Sequence, residues 1–218
     1  AQLSRGLGDV YKRQTNPTVA ALEEKLATLE GGRGGTVTSS GHAAETLVLF
    51  PLMAPGMEVI VSNKLYGGTI NLMGKSFRKF GWNAVFVDND NPEAFRAAVT
   101  EKTRAIFVES LANPGGVIVD LEAIAKIAQE AEVPLIVDNT MATPWLCRPF
   151  EWGADLVVHS TTKFFSGQGN AMGGIVIDSG RFPWFGNAKY PSLSEPSPDY
   201  NGLTFAETFG DLAFTLYS

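Results

Sequence analysis

The sequence predicts an α/β fold, a mostly parallel sheet with helices on both faces. Two observations carry that expectation. Short runs that are apolar throughout recur at Glu58–Ser62, Ala84–Asp88, Arg104–Glu109, Leu135–Asp138 and Asp155–His159. Between them lie helical stretches, and strands that are apolar on both faces and alternate with helices belong to parallel sheets covered on both sides.

The elements follow in order. Asn16-Pro17 is a helix start, a capping side chain followed by proline at the first helical position. Val19, Leu22, Leu26 and Leu29 then mark one helix face, and Gly31-Gly32 ends it. Thr36–Ser39 is a short strand, and Gly41 opens an apolar helix reaching about Met53. After the Pro55-Gly56 turn and the Glu58 strand, a helix runs from Thr69 to about Phe80, and another starts at Pro92. Leu121–Ala131 is amphipathic. Gly174–Asp178 follows its predecessor by a very short connection, which predicts an antiparallel strand. Arg181–Leu203 is rich in Pro, Gly and Ser and reads as a long loop, and Thr204–Ser218 as one helix. Residues 1–14 show no clear periodicity and are set apart as a leader of artefactual origin, which leaves 15–218 as the folded unit.

Composition narrows the function classes. The 218 residues are 44% hydrophobic and 18% charged, which is enough apolar material for a sizeable core. The net charge is -6 with no basic stripe, so nucleic acid is not expected as a partner. No apolar run approaches the roughly 20 residues that span a bilayer. Cys147 is the single cysteine, which excludes an internal disulfide and fits a reducing cytoplasm, and no metal-type Cys/His spacing occurs. A G-x-G-x-x-G after a strand, the mark of dinucleotide binding, is missing.

In open α/β sheets, ligands sit at the carboxyl ends of the strands. The segments there are Ser39–His42, Asn63–Gly68, Glu109–Gly116, Asp138–Thr140 and Ser160–Gly169. Together they offer a lysine (Lys163), a carboxylate (Asp138), an aromatic ring (Tyr66), hydroxyls (Ser160, Thr162) and a helix start at Gly41-His42. That set suits an aldehyde cofactor with a pyridine ring and a phosphate. The lysine forms the imine, the carboxylate keeps the ring nitrogen protonated, and the free N–H groups of the helix start attract the anion.

At these residues the sequence resembles the Cys/Met-metabolism family of pyridoxal-phosphate enzymes, of the aspartate-aminotransferase-like fold (type I). The motifs stand in the family's order: N-P-T-x-x-x-L-E from Asn16, S-G-H-A-A from Ser40, L-Y-G-G-T from Leu65, E-S-L-A-N-P-G-G from Glu109, V-D-N-T from Val137 and H-S-T-T-K from His159. L-Y-G-G-T, E-S-L-A-N-P-G-G and S-E-P-S-P-x-Y from Ser194 are most similar to O-acetylhomoserine sulfhydrylases.

The resemblance implies pyridoxal 5'-phosphate as cofactor and Lys163, Asp138 and Tyr66 as catalytic residues. Lys163 would be the Schiff-base lysine and proton shuttle, Asp138 the partner of the pyridinium nitrogen, and Tyr66 the stacking ring. Gly41, His42, Ser160 and Thr162 would hold the phosphate, Asn113 would approach the ring hydroxyl, and Thr140 joins the cofactor-binding set. Tyr11 and Arg13 align with residues that reach the phosphate of a neighbouring subunit, although Lys12 stands where the family has a small hydroxyl residue. Gln168 replaces a histidine common after the lysine loop. His159 is expected in the core, and Glu109 as structural.

By the same resemblance the chain is the large cofactor domain, truncated at both ends. The amino-terminal arm is missing, as is the small carboxy-terminal domain with its arginine for the substrate carboxylate. The implied reaction joins O-acetylhomoserine to sulfide or a thiol, giving homocysteine or a thioether plus acetate, within methionine biosynthesis. The intact enzyme would be a cytoplasmic homodimer or homotetramer with no membrane partner. The rivals are cystathionine γ-synthase, cystathionine γ-lyase or methionine γ-lyase chemistry, and an inactive fragment acting at most as an association module.

Overall fold

The computed structural model describes residues 16–88 and 91–218. In chain order its strands are β1 (Gly34–Thr38), β2 (Glu58–Ser62), β3 (Asn83–Val87), β4 (Thr103–Glu109), β5 (Leu135–Asp138), β6 (Leu156–His159) and β7 (Gly174–Asp178). The helices are α1 (Pro17–Glu30), α2 (Gly41–Leu49), α3 (Gly67–Asn71), α4 (Pro92–Ala98), α5 (Leu121–Glu130), α6 (Thr143–Leu146), α7 (Pro191–Ser194), α8 (Phe205–Phe209) and α9 (Ala213–Tyr217).

The strands form one sheet in the order β1-β7-β6-β5-β4-β2-β3. β2 pairs parallel with β3 and β4, β4 with β5, and β5 with β6. β7 runs antiparallel to both of its neighbours, as its short connection predicts.

Alternation along each strand divides the core in two. Val59, Val61, Phe107, Ile136, Leu156, Val158 and Val176 face α2 and the carboxy-terminal helices. Ile60, Ile106, Val108, Leu135, Val137, Val157 and Ile177 face α1, α4 and α5. Each such side chain, fully withdrawn from water, contributes about 1.5–3 kcal/mol. The two apolar faces require helices on both sides, and the expected architecture is present.

Three expectations need correction. The buried stripe of α1 is Glu23, Leu26, Ala27 and Glu30, while Leu22 and Leu29 are exposed. The cause is polar: Glu23 Oε1 accepts the Val37 N–H of the edge strand at 3.0 Å, and Glu30 pairs with His159 inside the protein. The Arg181–Leu203 segment is not a plain loop. Phe182, Trp184 and Tyr190 are buried against one another, and the Tyr190 hydroxyl donates to the Arg104 carbonyl at 2.9 Å. The last segment is two helices, α8 and α9, because the backbone leaves helical geometry at Gly210, where φ is 56°.

Candidate active site

The parallel strands bring their carboxyl ends to one edge. Glu109 at the end of β4 is in register with Asp138 at the end of β5, and Ser160 follows β6 directly. β1 delivers Ser40 and Gly41 to the same edge, because β7 lies antiparallel between β1 and β6. The result is a cavity of about 700 Å³. Gly41, His42, Tyr66, Asn113, Asp138, Thr140, Ser160, Thr162 and Lys163 all line it. Tyr11 and Arg13 lie outside the described residues.

The α2 end of the cavity is built for an anion. Ser40 caps the helix: its Oγ accepts the Ala43 N–H at 3.1 Å and its carbonyl accepts that of Ala44 at 3.0 Å. The N–H groups of Gly41 and His42 are left for a ligand, at the positive end of the helix dipole. The Ser160 hydroxyl stands beside them, while the Ser160 N–H donates to Thr140 Oγ1 at 2.8 Å. Thr162 lines the cavity as well. Its hydroxyl donates to the Gly173 carbonyl at 3.2 Å and accepts the Gly173 N–H at 3.1 Å, so its proton closes the lysine loop.

That loop is stapled a second time by Ser166, whose hydroxyl donates to the carbonyls of Thr162 and Lys163 and accepts the Gly169 N–H. Lys163 therefore has a fixed backbone and an exposed side chain on the cavity. Tyr66 stands just before α3 with its ring open to the cavity, 6.0 Å from the His42 ring and tilted 33° to it.

Asp138 Oδ1 accepts the Thr140 N–H at 2.8 Å. Burial raises the Asp138 carboxyl above the usual carboxylate range, opposed by the hydrogen bonds from Thr140 and by His159 and His42. Two more carboxyls share this floor. Glu109, expected as structural, binds two loops at once. Its Oε1 accepts the Tyr66 N–H at 2.6 Å and its Oε2 the Asn113 N–H at 2.9 Å. Burial pushes its carboxyl up to about 7. Glu45, which the sequence reading missed, is buried on α2 and lines the same floor. One signal was available: Glu45 stands one helical turn beyond Gly41 and so faces the same way.

Beneath the floor runs a buried polar chain. The Ser110 hydroxyl donates to Asn139 Oδ1 at 2.7 Å, and Asn139 Nδ2 donates to Glu30 Oε1 at 2.8 Å and to the Cys147 carbonyl at 2.9 Å. Glu30 Oε1 also meets His159 Nε2 at 2.5 Å. His159 is thus a core residue, as expected, and it ties β6 to α1. A larger concavity of about 900 Å³ runs along α5 and residues 181–189. Its lining mixes Lys126, Arg181 and Lys189 with Glu122, Glu132 and Asp155, and it lacks the convergent donor set of the first cavity.

Comparison with known proteins agrees with this geometry. Residues 3–195 match the family described as Cys/Met metabolism PLP-dependent enzyme. The chain belongs to that family. It is 48% identical over 203 residues to the O-acetyl-L-homoserine sulfhydrylase of Leptospira meyeri, covering 93% of this chain and 46% of the relative. Among solved structures, one described as an O-acetylhomoserine (thiol)-lyase of Campylobacter jejuni, with N'-pyridoxyl-lysine-5'-monophosphate, superposes with a TM-score of 0.85 at 36% identity. That match covers 94% of this chain and 56% of the other. The O-acetylhomoserine sulfhydrylase of Wolinella succinogenes, described in methionine biosynthesis, gives 0.79 at 35% identity over 92% of this chain and 54% of its own. The chain therefore spans about half the length of the relatives it matches.

The family is pyridoxal-phosphate-dependent, and the residues present fit that cofactor. Free N–H groups and a hydroxyl stand at one end, a buried carboxyl on the floor, an open aromatic ring at the rim and a lysine on a stapled loop. The volume lies inside the range of about 300–1,000 Å³ usual for small-molecule sites.

Proposed function

We propose that the chain forms the large cofactor-binding domain of an O-acetylhomoserine sulfhydrylase-type transferase. The reaction exchanges the acetate on the γ-carbon of O-acetylhomoserine for sulfide, giving homocysteine and acetate. One observation carries this reading: Gly41, Tyr66, Asp138, Ser160 and Lys163, scattered along the sequence, line a single cavity at the carboxyl edge of the sheet.

Pyridoxal 5'-phosphate, when bound, supplies a protonated ring that accepts the electrons of the C–H bonds broken in the substrate. The chain does the rest. Lys163 would hold the cofactor through its Nζ, and the same amine, on its stapled loop, would take and return protons at the α and β carbons of the substrate. Asp138 would keep the ring nitrogen protonated as its carboxylate partner, and the hydrogen bonds from Thr140 favour that ionised form against the effect of burial. The Gly41 and His42 N–H groups with the Ser160 hydroxyl would bind the phosphate, and Tyr66 would stack on the ring.

Exposed Ile118, Leu146 and Trp152 line an apolar groove of about 370 Å³ that shares Leu111 with the cavity. It supports association of copies as a homodimer or homotetramer. Among the described residues no helix is long and apolar enough to cross a membrane, and a cytoplasmic enzyme fits this reading.

The test is an absorbance spectrum with pyridoxal phosphate, before and after borohydride, beside Lys163→Ala. A visible band that borohydride fixes onto Lys163, absent in a folded Lys163→Ala, supports the assignment; reducible attachment retained in the variant sinks it. Turnover of O-acetylhomoserine with sulfide and not with cysteine supports the sulfhydrylase chemistry, and turnover with cysteine alone reassigns it to a cystathionine-forming relative.

A further inference from the structure

Glu45 is 3% exposed, on the α2 face that leads back to Gly41. Its Oε1 accepts a hydrogen bond from Thr69 Oγ1 at 2.6 Å, and Thr69 is itself buried on α3. Its Oε2 is buried and has no partner among the described residues, yet the residue lines the cofactor cavity. The charged and titratable groups around it are Asp138 from β5, Glu109 from β4, His42 from α2 and Lys163 from the loop after β6.

An ionised carboxylate in this place would carry an orphaned oxygen beside two like charges, a costly arrangement away from water. The carboxylic acid, by contrast, accepts from Thr69 with one oxygen and turns an O–H toward the cavity with the other. A ring nitrogen facing Asp138 needs one anionic partner. A second anion there would repel a phosphorylated ligand on entry, whereas a neutral donor would orient it.

We infer that Glu45 is a positioning residue of this site, a protonated acid that turns its O–H into the cavity beside Asp138 and, through Thr69, locks the Tyr66 turn to the helix opening at Gly41. This rests on the cofactor reading above. Burial first, then Asp138 and Glu109, push the Glu45 carboxyl up to about 8 against the hydrogen bond from Thr69, so the acid form prevails at neutral pH.

The variants Glu45→Gln and Glu45→Leu test it in the purified protein. Gln keeps an acceptor for Thr69 and a neutral donor; Leu keeps volume alone. The expected dissociation constant for pyridoxal phosphate at pH 7 stays within about threefold of wild type for Gln and rises about tenfold or more for Leu, the weight of one buried hydrogen bond. Without cofactor, thermal unfolding followed from pH 5 to 8 gives a second readout. The folded protein holds the Glu45 proton over that window and the unfolded chain does not, so wild type loses stability relative to Gln as pH rises. If Leu does not fold, Thr69→Val, which removes only the donor to Oε1, replaces it with the same expected weakening. Gln binding as poorly as Leu, Leu binding as well as wild type, or equal pH slopes for wild type and Gln each overturn the inference. A wild type that takes up no cofactor sinks the proposed function instead, and the pH slope then decides on the proton at Glu45.

Discussion

Gly41 approaches Ser160 so closely that a methyl group on its Cα would lie 2.7 Å from the Ser160 Cβ. The contact seats the start of α2 on the loop after β6, and both residues face the anion end of the cavity. Gly41→Ala must push these segments apart. The expected cost is about 1–3 kcal/mol of stability from overpacking. Pyridoxal-phosphate affinity should fall with it, because the N–H groups and the Ser160 hydroxyl no longer converge. Gly67→Ala is the control, since none of the described residues lies within 4 Å of a Cβ there. Thermal unfolding and cofactor titration of both variants check this; equal behaviour of the two would show that the close approach is tolerated.

The fold was legible where burial is apolar. β4, β5 and β6 are apolar runs, and no other arrangement covers both of their faces. Lys163, Asp138 and Gly41 were legible because each stands at or shortly after the carboxyl end of a strand, and the sheet delivers such residues to one edge. Burial of polar groups was not legible. Glu23 and Glu30 shift the inner face of α1 because they serve Val37 and His159, and hydrophobic spacing cannot register a carboxyl buried for its hydrogen bonds. Glu45 was passed over for the same reason. The order in Arg181–Leu203 comes from Trp184 and Tyr190 packing on Phe214 and Phe182, contacts that no local pattern announces.

Asn139 follows the cavity residue Asp138 but turns the other way, into the buried chain that joins Ser110, Glu30 and the Cys147 carbonyl. Asn139→Leu keeps the number of side-chain heavy atoms and removes the amide from Ser110, Glu30 and the Cys147 carbonyl, of which Glu30 keeps His159. Each buried group left unpaired costs about 1–3 kcal/mol, so this variant should be among the most damaging outside the cavity. Ser110→Ala should cost about 1–3 kcal/mol, since it leaves the buried Asn139 Oδ1 without its donor. In the double variant the Ser110 cost should largely vanish, because Asn139 Oδ1 is already gone. Denaturant unfolding of the four proteins in the cycle checks this; strictly additive losses would mean that the hydroxyl and the amide do not act together.

Asp178 gives a pH dependence whose sign can be worked out. Its Oδ1 accepts the Gly180 N–H at 2.8 Å, its Oδ2 is buried without a partner among the described residues, and the residue is almost wholly withdrawn from water. Burial, then Asp155 and Asp211, push the carboxyl from 3.8 up to about 7 against that hydrogen bond. Between those values the folded protein holds a proton that the unfolded chain has released. Stability therefore falls as pH rises through this window, with a slope of about 1.4 kcal/mol per pH unit for one fully linked proton. Asp155, raised to about 6, and Glu109, raised to about 7, act in the same direction. The protein without cofactor should consequently be more stable near pH 5 than near pH 8. Asp178→Asn keeps the acceptor for Gly180 and removes the titration, so its unfolding free energy should vary less with pH over the same range. Denaturant unfolding at half-unit intervals from pH 4.5 to 8 measures both slopes. A variant slope as steep as wild type would show that Asp178 is ionised in the fold, and a wild type that gains stability toward pH 8 would show that its buried carboxyls are too.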